Sequence, residues 1–269
     1  MQVKLHSKFN LLFWGVIILF LFTTPVWADL YYEMTDTDYS STPGGETTEV
    51  DHEKGYMKSD RMKIDDLTNK KTTIIRLDKE LVWEIDHNEK TYTEISFAEL
   101  EEKISREMSR PPVSPEQMAQ MEEMMKSMPP EQRQMMEQSM EMARGAQTAF
   151  TEPPEVIQTG KKKKILGYTC ELVKVSFGEM MTQEMWVSKE ILSDIDFSKF
   201  CLGLGMPKPM AEGFSKIKGF PLKTVQESKM MGTYHKSTSE VTKLKTKKIS
   251  DKEFELPKGY KKVAFSDSH

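Results

Sequence analysis

Methionine recurs at positions 118, 121, 124, 125 and 128, and again at 135, 136, 140 and 142. A thioether sulfur is a soft ligand that suits Cu(I), and Met-x-x-Met spacing sets two of them on one helix face. Met121 with Met125, or Met118 with Met121, would serve, and Cys201, Met206 and Met210 form a second loose group. No histidine lies in the segment, and His52, His87, His235 and His269 are scattered, so copper binding is the weaker alternative. On a helix the first five methionines fall within an arc of about 120°. That pattern predicts an amphipathic lid. Methionine is unbranched and polarisable, so it fills irregular or changing apolar space better than leucine does. The chemistry it favours is burial of a greasy ligand.

Other reactive groupings carry less. The chain has no G-x-S-x-G elbow, no P-loop glycine pattern, no H-E-x-x-H and no Cys/His metal spacing. Asp65-Asp66 and Glu101-Glu102 are adjacent rather than on a shared face and read as solvated charge. The expectation is a protein that is not an enzyme and needs no cofactor. Lys161 to Lys164 form a block, and Lys243, Lys245 and Lys247 share a strand face. Contact with anionic lipid head groups is one reading; a solvated linker and a charge-protected edge strand is the commoner one.

The N-terminus assigns the compartment. Lys4 and Lys8 precede an uncharged apolar run, Leu11 to Phe22, and Val26-Trp27-Ala28 follow ahead of Asp29. This is the order of a secretory signal peptide, and the run is short of the roughly 20 residues a spanning helix needs. Residues 1–28 therefore read as a signal peptide cleaved after Ala28, leaving a periplasmic or otherwise exported chain without a transmembrane segment. Removing them takes away two lysines and no acid, so the formal charge moves from −4 to −6. That argues against a nucleic-acid partner. In an oxidising compartment the two cysteines, Cys170 and Cys201, are disulfide candidates. Such a bond would contribute about 3–4 kcal/mol in the chain-entropy model; the alternative is two buried thiols.

The elements that must position these groups are mostly strands. LYYEM (30–34), YMKSDRMKI (56–64), TTIIRL (72–77), ELVWEID (80–86) and TYTEI (91–95) read as an antiparallel meander, with SSTPGGETTE (40–49) as a loop. Leu81, Trp83 and Ile85 alternate with Glu84 and Asp86, the period of a half-buried strand. A helix is predicted over Phe97 to Met108, and Ser114-Pro115-Glu116-Gln117 is a helix start. Pro129-Pro130 makes a corner between two methionine-bearing helices. Strands resume at ILGYTCELVKVSF (165–177) and TQEMWVS (182–188). A short helix over 189–201 and a Gly/Pro-rich loop (202–210) come next. FPLKTVQES (220–228), residues 233–249 and FELPKGYKKV (254–263) supply the last strands. Strands on both sides of a helical insertion at about 97–147 point to one α+β domain over 29–269.

GYTCELVKV…MWVS (167–188), GFPLKTVQES (219–228), SEVTKLKTKKIS (239–250), the closing FELPKGYKKV and the PPEQRQMMEQSM segment (129–140) resemble an exported bacterial family catalogued as domain of unknown function 4412. That family is itself distantly similar to periplasmic lipoprotein carriers. The resemblance implies a curved antiparallel sheet, a half-open β-barrel closed by helices over an apolar cavity. It brings no catalytic motif with it.

The expected function is binding of a lipid or acyl chain between the sheet and a methionine-rich lid. Leu81, Trp83, Ile85 and Trp186 are the expected wall, and Met121, Met125, Met128, Met136 and Met140 the expected lid. The alternative is an interaction module of the cell envelope, with the methionine stripe docking a partner protein.

Overall fold

The computed structural model describes residues 29–42, 44–109, 120, 123–125, 128–130, 132–134, 152–178, 181–191, 197–230 and 233–265. The strands are β1 (Leu30–Thr42), β2 (Gly45–Met57), β3 (Arg61–Asp66), β4 (Lys71–Arg76), β5 (Leu81–Asp86), β6 (Thr91–Ser96), β7 (Glu155–Ile165), β8 (Tyr168–Phe177), β9 (Met181–Ser188), β10 (Phe220–Met230), β11 (Thr233–Thr246) and β12 (Lys261–Lys262). The helices are α1 (Phe97–Ser109), α2 (Phe197–Gly203) and α3 (Lys208–Phe214). The helical insertion at its full expected extent lies largely outside the described residues.

All twelve strands join one open, curved sheet in the order β12-β6-β5-β4-β3-β2-β1-β11-β10-β9-β8-β7. Every neighbouring pair is antiparallel except β12 with β6. Two meanders, β1 to β6 and β7 to β11, meet at the central β1–β11 pair, and residues 97–154 link β6 to β7, close to one edge and at the other. The polar stretch 40–49, expected as a loop, instead continues both strands, with Thr42 opposite Gly45. Both of its faces are polar, so no period-2 signal could reveal it. The predicted strand 56–64 is broken by a turn in which the Lys58 amide donates to the Arg61 carbonyl at 2.9 Å.

Alternation along the strands gives the sheet two distinct faces. One carries the helices. Met57, Met62, Ile75, Val82 and Ile95 pack there with Phe200 of α2, and Phe97 and Leu100 of α1 lie against the same cluster. Val173, Val175, Phe177, Met185 and Val187 pack under Met210, Phe214 and Ile217. A Cβ at Gly203 would lie 2.6 Å from Ile75 Cγ2, so only glycine lets α2 approach this closely.

The opposite face of β4–β6 is roofed by the C-terminal segment. Ser250 caps a 3₁₀ helix, Asp251–Phe254, and fully buried Phe254 packs with Ile74, Trp83, Ile85 and Ile249. The buried Arg76 guanidinium holds this segment down, donating to the Phe254 carbonyl at 3.0 Å, to Glu255 at 2.8 Å and to Asp78 at 2.7 Å. The chain then pairs with β6 as β12 and delivers Phe265 to the helix-bearing face, where Lys103 Nζ of α1 lies 4.3 Å from its ring centroid.

Candidate functional site

Three of the four residues expected as the cavity wall lie on the sheet face turned away from the helices. Leu81, Trp83 and Ile85 do share one side of β5, but it is the side turned away from the helices, filled by Phe254, Ile249 and Tyr260. Trp83 Nε1 donates to Glu94 at 2.7 Å, so its one polar atom is satisfied inside that packing. Period-2 alternation identified the set correctly but cannot say which of two apolar faces meets the helices; Val82 is the residue of β5 that does. Trp186 alternates with Met185 and Val187, which pack under α3; it is half-buried against the larger core cluster, which includes Cys170, with Lys163 Nζ 4.1 Å from its ring centroid.

No disulfide joins Cys170 and Cys201: both are thiols. Cys170 is fully buried in the larger core cluster, and burial pushes its thiol pKa up. Cys201 packs with Met206 against Met210 and its cluster, so the loose Cys201–Met206–Met210 group is brought together, among Phe177, Phe214 and Ile217. Of the expected lid, Met121, Met136 and Met140 lie outside the described residues. Met125 and Met128 are half-buried at the proline corner, where Arg133 donates from Nε to the Met125 carbonyl at 3.0 Å and from Nη2 to the Met128 carbonyl at 3.3 Å.

Among the described residues an apolar pocket lies on the helix-bearing face, between α1 and the α2–α3 turn. Its volume is about 550 Å³, and its walls are Phe97, Ala98 and Ile104 of α1 with Leu202, Met206, Pro207 and Pro209. Both walls are set by local capping. Ser96 and Glu99 form a capping box: the Glu99 amide donates to Ser96 Oγ at 3.2 Å, and Glu99 Oε2 accepts from the Ser96 amide at 2.9 Å and hydroxyl at 2.6 Å. Those bonds hold the Glu99 carboxyl below its usual range, and they place Phe97 at the first helical position. The other wall follows a Schellman turn. Gly205, at φ +78°, donates to the Leu202 carbonyl, and Met206 donates to the Cys201 carbonyl, both at 3.0 Å. That turn directs the chain through Met206 and Pro207 into α3. Sequence reasoning missed these walls, although S-F-A-E at 96–99 and L-G-M-P at 204–207 carried the two cap signatures.

Three charged side chains, Glu80, Glu101 and Lys208, line the exposed mouth of this pocket. None of them makes an ion pair with another described residue.

Beyond the helices the same face turns polar. Asp36, Asp51, Glu53 and Asp66 sit on neighbouring strands in register. Burial, reinforced by Asp36, Asp66 and Asp51, pushes Glu53 up to about 7. Burial also raises Asp36, against a hydrogen bond from Ser239, and its Oδ2 is buried without a hydrogen-bond partner among the described residues. The opposite face balances its charges across strands, with Lys243–Glu33 and Lys223–Glu240 at 2.7 Å and Lys236–Glu227 at 2.9 Å. Among the described residues no group of three or more His, Cys, Asp or Glu side chains is placed to hold a metal ion. No helix among them is long and apolar enough to cross a membrane.

Residues 102–260, more than half of the chain, match the family described as Domain of unknown function (DUF4412). The chain belongs to this family. The match begins within α1 and takes in β7 to β11, the α2–α3 wall of the pocket and the 3₁₀ roof. No curated protein sequence matches the chain. Among solved structures it is similar to an uncharacterized conserved protein from Thermus thermophilus, at 8% identity and a TM-score of 0.42, over 87% of this chain and 91% of that one. It is also similar to a LolA superfamily protein from Nitrosomonas europaea, at 8% identity and a TM-score of 0.30, over 84% and 90% of the two chains. A putative outer membrane lipoprotein-sorting protein domain from Vibrio parahaemolyticus is similar at 11% identity and a TM-score of 0.28, over 85% and 89%.

Proposed function

We propose that this DUF4412 protein is an exported binding protein of the cell envelope that holds one hydrophobic chain, a lipid or acyl group, without altering it. The observation that carries the reading is the apolar pocket between α1 and the α2–α3 turn. Its volume, about 550 Å³, lies within the range of small-molecule sites, and its walls are apolar with charge confined to the mouth. Burying a chain there would contribute about 0.8 kcal/mol per methylene, enough for useful affinity with no polar contact. The sequence supplies the setting: residues 1–28 are removed on export, and the methionine-rich segment 118–142 is an adaptable covering for ligands of different length.

The test begins with a native mass spectrum of the protein purified from its own compartment without detergent. A reproducible excess of a few hundred daltons, lost on organic extraction, supports the reading. Ala98→Trp fills the pocket from an exposed position on α1. It should weaken binding of a fluorescent fatty acid by at least tenfold while leaving the melting temperature within a few degrees. Unchanged binding in that variant would exclude this pocket. An excess of one copper atom would make the thioethers ligands instead, and a bare chain mass would favour a docking module for a partner protein.

A further inference from the structure

The geometry points to a zwitterionic head group on the ligand of the α1/α2–α3 pocket, an ammonium and a phosphate or carboxylate carried on a single tail. This rests on the carrier reading above and specifies its ligand. The charged groups lining the pocket are Glu80 at the β4–β5 turn, Glu101 on α1 and Lys208 at the start of α3. All three are exposed, and none is in an ion pair with another described residue. That contrasts with the opposite sheet face, where the lysines at 223, 236 and 243 are matched to glutamates at 2.7–2.9 Å. Among the described residues the mouth therefore presents both signs without an ion pair, around an apolar interior.

Sign selects the ligand. A purely anionic head beside Lys208 would also meet two carboxylates. A purely cationic one beside Glu80 and Glu101 would meet the ammonium of Lys208. A zwitterion with its two charges a few ångströms apart complements both walls while its tail fills the space between Phe97, Ile104 and Met206. The interactions lie at an exposed mouth, so each should be modest and weakened by salt.

Four dodecyl amphiphiles, used below their micelle concentrations, separate head group from tail: dodecylphosphocholine, dodecyl phosphate, dodecyltrimethylammonium and dodecyl maltoside. Each competes against a fluorescent fatty acid on the full mature chain. Dodecylphosphocholine should bind about fivefold or more tightly than either singly charged head, with the advantage shrinking at 0.5 M salt. Glu101→Gln should weaken the phosphocholine and ammonium probes but not the phosphate. Lys208→Gln should weaken the phosphocholine and phosphate probes but not the ammonium. Equal affinity for all four heads, or a preference untouched by both substitutions, would overturn the head-group assignment and leave the carrier reading standing. Failure of all four to compete, with no binding of the fatty acid itself, would overturn both.

Discussion

Position 55 shows how tightly one residue type can be imposed. Tyr32 lies flat across the β2 backbone, and a Cβ on Gly55 would sit 1.9 Å from its ring. Gly55→Ala must push a buried aromatic out of the core, so a loss of about 1–3 kcal/mol is expected in urea unfolding. Two residues along the same face stands Glu53, raised to about 7 by burial and by its acidic neighbours. Between its ordinary value of 4.5 and the folded value, the folded chain keeps a proton that the unfolded chain has released. Stability therefore falls as pH climbs through that window and levels off above it. Glu53→Gln should flatten this slope and stabilise the protein at pH 8 by on the order of 2 kcal/mol. Urea midpoints at pH 5 and pH 8 give the comparison; a parent-like slope in the variant would show that Glu53 is not its source.

At the scale of elements, the C-terminal roof depends on few attachments. Arg76 is its anchor, and its side chain is 4% exposed. Arg76→Ala leaves the Phe254 carbonyl without its buried donor and the exposed Asp78 and Glu255 without their partner, so a loss of about 1–3 kcal/mol is expected. Limited proteolysis should then cut first after Ile249, before any cut in β1–β5; simultaneous cutting throughout would mean that the roof has no separate stability. Elements with one apolar face, such as β3–β6, β8, β9 and α1, were legible because their periods are set by burial. Four elements were not, in whole or in part. The outer halves of β1 and β2 are polar on both sides. The β7 residues Lys161 to Lys164 looked like linker because an edge strand has little to bury. α3 was hidden in LGLGMPKPM, since proline and glycine there mark a helix start and a Schellman turn rather than an open loop. Of the candidate site, the position of α1 could be read, whereas the face of each strand and the Met206 wall depend on tertiary packing.

For the whole molecule, an open sheet of twelve strands must guard its two ends. At one end β12 covers only part of β6. At the other, β7 is exposed along most of its length, its pairing with β8 slips between Gln158 and Lys162, and Gly160 takes φ +73° at that bulge. The lysine block is thus the charged, bulged edge that resists pairing with another molecule. The other lysine-rich strand, β11, lies at the centre of the sheet. Replacing Lys161, Lys162 and Lys164 with threonine, while keeping Lys163 over Trp186, should produce concentration-dependent oligomers in light scattering with little change in melting temperature. A monomer at all concentrations would remove that role from the charge.

The central β1–β11 pair has a consequence for how the chain is made. Asp36 and Ser239 meet across it from 203 residues apart, whereas every other antiparallel neighbour in the sheet is also a neighbour in sequence. Each meander can assemble from local contacts as it emerges, but until β11 arrives both keep a bare inner rim. A chain clipped between β10 and β11 would carry β1 and β10 as two long unpaired borders, each shaped to accept a strand from another chain. Completeness of the segment from β11 onward, more than the strength of either half, would then decide whether newly made molecules close on themselves or on one another.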